Sequence, residues 1–145
     1  MATTFQVVID CADPAALSRF WASALRYKLQ DPPAGSASWP EWLAAHGIPE
    51  ERWNDASAVV DPDGNGPRIY FQRVPEGKTV KNRVHLDLNV GAENGAVGAE
   101  RRKRVDAEAQ RLVACGASLI SATESELGEY CAAMRDPEGN EFDVQ

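Results

Sequence analysis

The sequence predicts an α+β protein made of two copies of one module: a strand, a helix and three further strands. Three observations carry that prediction. The order strand, helix, strands is met twice along the 145 residues. Two near-identical turns, Asp61-Pro-Asp-Gly-Asn65 and Asp136-Pro-Glu-Gly-Asn140, each stand just before the last strand of a half. The strands alternate apolar and polar residues with period two, which gives each one face to bury and one to wet. The modules run from about residue 4 to 75 and from 82 to 145 within a single domain.

The first strand is Phe5-Gln-Val-Val-Ile-Asp10, with Phe5, Val7 and Ile9 on one face and Gln6, Val8 and Asp10 on the other. Asp13-Pro14 then gives a capping residue followed by a proline at the first helical position. Leu17, Phe20, Trp21, Ala24 and Leu25 form the apolar stripe of that helix. Asp31 to Asn54 is less regular, with a loop at Pro32-Pro33 and a short helix from Pro40 to His46 stopped by Gly47. Ala56–Asp61 and Arg68–Arg73 read as an antiparallel hairpin across the turn-rich segment between them.

The second cycle opens with a strand over Arg83–Val90. Val84, Leu86, Leu88 and Val90 share one face, and Arg83, His85, Asp87 and Asn89 share the other. After a loop from Gly91 to Gly98, a helix runs to about Cys115 with Val105, Ala109, Leu112 and Val113 inward and Gly116 as its stop. Strands at Ala117–Ala122, Glu129–Arg135 and Glu141–Gln145 complete the half.

Composition narrows the functions available. Hydrophobic residues make up 43%, enough for a packed core without disulfides or a structural metal. Twenty-two acidic residues against fifteen basic ones give a net charge of −7, which repels phosphate backbones and sets nucleic acid aside as a partner. The basic run Glu100-Arg-Arg-Lys-Arg104 then reads as a solvated helix face. Three cysteines with no Cys-x-x-Cys pair fit a reducing cytoplasm. No signal segment and no membrane-spanning run is evident, so no membrane partner is expected.

Four segments together resemble the vicinal oxygen chelate superfamily, the glyoxalase and bleomycin-resistance fold, and within it the small bacterial glyoxalase-like domains. They are Gln6-Val-Val-Ile-Asp-Cys-Ala-Asp-Pro14, Pro67-Arg-Ile-Tyr-Phe-Gln-Arg-Val-Pro75, Lys81-Asn-Arg-Val-His-Leu-Asp-Leu88 and Asp136-Pro-Glu-Gly-Asn-Glu-Phe142, and they span nearly the whole chain. The resemblance implies two βαβββ modules whose curved mixed sheets form a half-open barrel with the helices outside. It implies a small-molecule ligand in the concave cleft and a homodimer. It also places Gln6, Tyr70, His85 and Asp143 at the superfamily's four metal-ligand positions. Fold alone leaves the reaction open, because isomerases, dioxygenases, thiol transferases and drug binders share it.

The residue types at those positions grade the chemistry. Imidazole and carboxylate suit zinc, nickel, manganese or iron, whereas an amide oxygen and a phenol of pKa about 10 are weaker donors. His85, Asp143 and Gln6 are therefore candidate ligands of a marginal site, for which a loosely held divalent ion or none is the expectation. Extradiol dioxygenase chemistry needs two histidines and a carboxylate on iron; the second histidine, His46, lies in the irregular insert. Fosfomycin-type thiol transfer needs a similarly strong set. Two readings stand. One is a glyoxalase-type lyase or isomerase with His85 and Asp143 catalytic and Gln6, Tyr70, Asp87 and Trp42 contacting substrate. The other is a metal-free drug- or metabolite-binding protein. His85 also has a plainer reading, as a polar strand residue bonded to Asp87 or Asn89.

Overall fold

A computed structural model describes all residues from Met1 to Gln145. They form two compact units, Met1–Gly77 and Lys78–Gln145.

The first unit contains β1 (Val7–Cys11), α1 (Pro14–Leu25), β2 (Lys28–Leu29), α2 (Trp39–Ala45), β3 (Ala56–Val60) and β4 (Ile69–Arg73). Its sheet has the order β1-β4-β3-β2, with β1 parallel to β4 and the other pairs antiparallel. Helix α1 starts where the Asp13 carboxylate accepts the Ala16 N–H at 3.1 Å, and Pro14 needs no such acceptor. It ends at Arg26 in the left-handed region, φ 57°. Leu17, Phe20, Trp21 and Ala24 are buried with Val59, Ile69 and Phe71 of the sheet. Each large side chain so buried contributes roughly 1.5–3 kcal/mol. The Ser57 hydroxyl donates to Ser18 at 2.8 Å, which satisfies the one polar pair under the helix. The two-residue β2, paired with β3, carries too short a pattern to be read from the sequence.

The second unit repeats this plan. Its elements are β5 (Asp87–Leu88), α3 (Gly98–Ala114), β6 (Ser118–Glu124), β7 (Tyr130–Arg135) and β8 (Glu141–Val144), in the sheet order β5-β8-β7-β6. Again the first and last strands are parallel and the rest antiparallel. Val105, Ala109 and Leu112 of α3 are buried with Ala132, Met134, Phe142 and Val144. Val113, expected to face inward, is 46% exposed, because a residue one step beyond Leu112 is turned about 100° away from the stripe.

The strand expected over Arg83–Val90 is shorter than its pattern. Ladder bonds begin only at Leu86, whose carbonyl accepts Asp143 N–H at 3.0 Å, and continue through Leu88 and Val90. Upstream, side chains replace the ladder: the Glu141 carboxylate accepts the Asn82 N–H at 3.0 Å and lies 3.1 Å from Lys78 Nζ. Val84 is accordingly exposed, while Leu88 is buried.

The two turns are built on the same pair of aspartate-to-backbone hydrogen bonds. Asp61 accepts the N–H of Asp63 at 2.9 Å and of Asn65 at 3.0 Å; Asp136 accepts the N–H of Glu138 at 2.9 Å and of Asn140 at 3.0 Å. Gly64 and Gly139 sit at φ 72° and 89°, where only glycine is unstrained. Duplication thus extends from element order to individual hydrogen bonds.

Candidate functional site

In the second unit the parallel pairing of β5 with β8 sets Asp87 directly beside Asp143. Their chain neighbours Leu88 and Val144 are buried on the opposite face, so both carboxylates point away from the core. His85, two residues before Asp87, shares that face. Its Nε2 stands 3.1 Å from Asp87 Oδ1 and 3.6 Å from Asp143 Oδ2. One donor atom from each of the three residues lies within 4.8 Å of the other two.

Two adjacent carboxylates repel each other, and a cation between them removes that cost. One imidazole and two carboxylates also make a donor set suited to manganese, iron or zinc. The group therefore fits a divalent ion, with Asp87 as the third donor beside His85 and Asp143. The side-chain amide of Gln145 donates to Asn89 Oδ1 at 3.0 Å and reaches Asp87 Oδ2 at 3.5 Å, fixing the carboxylate from its outer side. The three groups remain 30–42% exposed, open to a ligand from solvent.

In the first unit, Gln6 and Tyr70 come to one sheet face, the one opposite α1. Between them stands Arg68. Its Nη1 donates to Gln6 Oε1 at 2.9 Å, its Nε donates to Gln30 Oε1 at 2.8 Å, and its guanidinium carbon lies 4.9 Å from the centre of the Tyr70 ring. The amide oxygen offered by Gln6 as a metal donor is thus already bonded to a cation.

Trp42 lies on α2, its ring stacked on His46 at 3.9 Å and edge-on to Trp39 at 5.7 Å. His46 Nδ1 is 2.7 Å from the Trp42 carbonyl, as expected one helical turn on. These rings pack within their own helix.

Sequence reasoning brought His85 and Asp143 forward but put Asp87 among substrate contacts, because strand register is needed to see it beside Asp143. Arg68 does not stand out in the sequence. The only signal was a lone cation on the polar face of a strand, uninformative until β1 is known to pair with β4.

Two βαβββ units, each folded into a four-stranded mixed sheet, define the glyoxalase-like fold class. A family model described as a glyoxalase-like domain matches residues 6–145, and the chain belongs to that family. Solved structures agree on the fold. A glyoxalase/bleomycin resistance protein/dioxygenase family enzyme from Burkholderia phytofirmans is 19% identical, with a TM-score of 0.61 over 96% of this chain and 94% of that one. The fosfomycin resistance protein FosX of Listeria monocytogenes, solved with Mn(II) and 1S,2S-dihydroxypropylphosphonic acid, is 10% identical, with a TM-score of 0.63 over 100% and 90%. The bleomycin-binding protein of Streptomyces verticillus, solved with copper(II)-bleomycin, is 16% identical, with a TM-score of 0.54 over 100% and 96%. A comparison with curated proteins gives no match. No helix is long and apolar enough to cross a membrane.

Proposed function

We propose that the protein is a glyoxalase-type lyase or isomerase that shifts a proton beside the carbonyl of a small oxygenated metabolite. The observation that carries this reading is the convergence of His85, Asp87 and Asp143 on one face of the second sheet. A divalent ion held by these residues would supply Lewis-acid polarisation of the substrate oxygens. Asp143 takes the proton from the carbon next to the carbonyl and returns it to the adjacent carbon, so the reaction is redox-neutral and needs no co-reactant. His85 Nε2, 3.1 Å from Asp87 and 3.6 Å from Asp143, would hold the ion together with those carboxylates.

One observation favours a second reading, a metal-free binding protein. Gln6, the first-unit residue at a ligand position of the superfamily, has its oxygen bonded to Arg68. The bleomycin-binding neighbour is a precedent for such a role on this fold. Under either reading the ligand is a small molecule. The superfamily also suggests a homodimer, which sedimentation would reveal, and three cysteines that form no disulfide suit a reducing cytoplasm.

The test is turnover of a panel of hemithioacetals and α-hydroxycarbonyl compounds with Mn(II), Zn(II) or Ni(II) added. His85→Ala and Asp143→Asn are expected to lower turnover by at least about 100-fold with unchanged circular dichroism. Unchanged turnover in both variants would contradict the assigned residues. No turnover by the parent protein, combined with saturable quenching of tryptophan fluorescence by a metabolite, would select the binding protein instead.

A further inference from the structure

We propose that Arg68 anchors an oxyanion-binding site on the first sheet, one that takes the carboxylate or phosphoryl group of a small molecule. The site lies wholly in the first unit and stands independently of the His85 centre.

Arg104 and Arg111 are bonded to Glu100 and Glu108, whose charges neutralise them. Arg68 is held instead by two neutral amide oxygens, Gln6 Oε1 and Gln30 Oε1, and by the Tyr70 ring. It is thus fixed in place with its charge uncompensated. Asp10, on the same face of β1, pairs in register with Gln72 and forms no ion pair with Arg68.

A guanidinium has five N–H donors. Gln6 and Gln30 take two of them, which leaves both on Nη2 and one on Nη1. One hydrogen of Nη1 and one of Nη2 make up the end of the group that binds carboxylate or phosphate through two parallel hydrogen bonds. Tyr70 covers one flat side, so the free edge is the route of approach. Fixing an arginine from behind in this way removes most of the entropy lost when it binds an anion.

The surroundings suit the rest of such a ligand. Val8, in register with Tyr70 on β1, is 48% exposed and gives an apolar surface beside the charge. A small anion with a short apolar body fits this combination of a fork, a ring and a valine.

The test follows the Arg68 Nε–H and Val8 methyl signals by NMR at constant ionic strength. Inorganic phosphate is titrated in one series and acetate in another. Both signals are expected to shift saturably with a millimolar midpoint, while the Arg104 Nε–H does not. Saturation with phosphate alone assigns a phosphoryl ligand, and with acetate alone a carboxylate. Arg68→Gln should abolish the Val8 response. Arg68→Lys, which keeps the charge but loses the fork, should weaken it at least threefold, as should Gln6→Ala. Shifts that are linear and alike at every arginine, or a Val8 response surviving in Arg68→Gln, would overturn the proposal. The same titration on His85→Ala should be unchanged, so the two proposed sites can fail separately.

Discussion

Glu141 shows how one side chain can replace a stretch of sheet. It accepts the Asn82 N–H and pairs with Lys78, and these bonds, the backbone one foremost, hold its pKa down to about 2 from the usual 4.5. A carboxylate depressed on folding contributes stability that is fully present above its unfolded pKa and is lost as pH falls toward the folded value. Between pH 4.5 and 2 the protein should therefore lose stability in step with proton uptake at Glu141. Thermal melts across that range test this, and Glu141→Gln should flatten the slope. Asp13 and Asp61 act in the same direction: the first is lowered mainly by the Asn54 side chain, the second by the N–H groups of its turn. At the site, Asp87→Asn removes a charged donor and should weaken Mn(II) binding about tenfold or more, as read by calorimetry.

Among the elements, β8 does the most for the candidate site, because Asp143 faces out from the same strand whose Phe142 and Val144 are buried. Phe142→Ala should cost about 3–5 kcal/mol by denaturant titration, and should disturb the site as well. The loop after β5 is equally constrained. Val90 and Gly91 both donate to the Gln145 carbonyl at 2.8 Å, and a Cβ on Gly91 would come within 3.0 Å of backbone and of Val105. Gly91→Ala is expected to destabilise by about 1–3 kcal/mol.

These elements also show what the sequence made legible. Helices α1 and α3 were readable because a 3.6-residue stripe is a local signal, joined in α1 by the Asp13 cap. The outward face of β8 was readable from Phe142 and Val144 alone. The true extent of β5 was not, since its first half is tied to Glu141 by side chains 59 residues apart. Asp87 beside Asp143, and Arg68 between Gln6 and Tyr70, depend on parallel pairing of strands distant in sequence, which no periodicity encodes.

At the scale of the whole molecule, duplication is the organising fact. Both sheets have the same strand order, both close with the first strand parallel to the last, and both enter the last strand through the same aspartate-capped turn. The copies have since diverged in what their polar faces carry: a guanidinium among amides in one, an imidazole between carboxylates in the other. Their turns also differ in depth, since Asp136 is 3% exposed and Asp61 is more open. Asp136→Ala should consequently cost about 1–3 kcal/mol, through part-buried N–H groups left without acceptors. Asp61→Ala should cost less, because water reaches its turn. Paired denaturation curves of the two variants would show that ordering or refute it.

The most direct test of the functional account is a calorimetric titration of the chelator-treated protein with Mn(II). One saturable site per chain is expected, lost in His85→Ala and Asp143→Asn and retained in His46→Ala. An absence of binding, or a site that survives both of the first two substitutions, would contradict it.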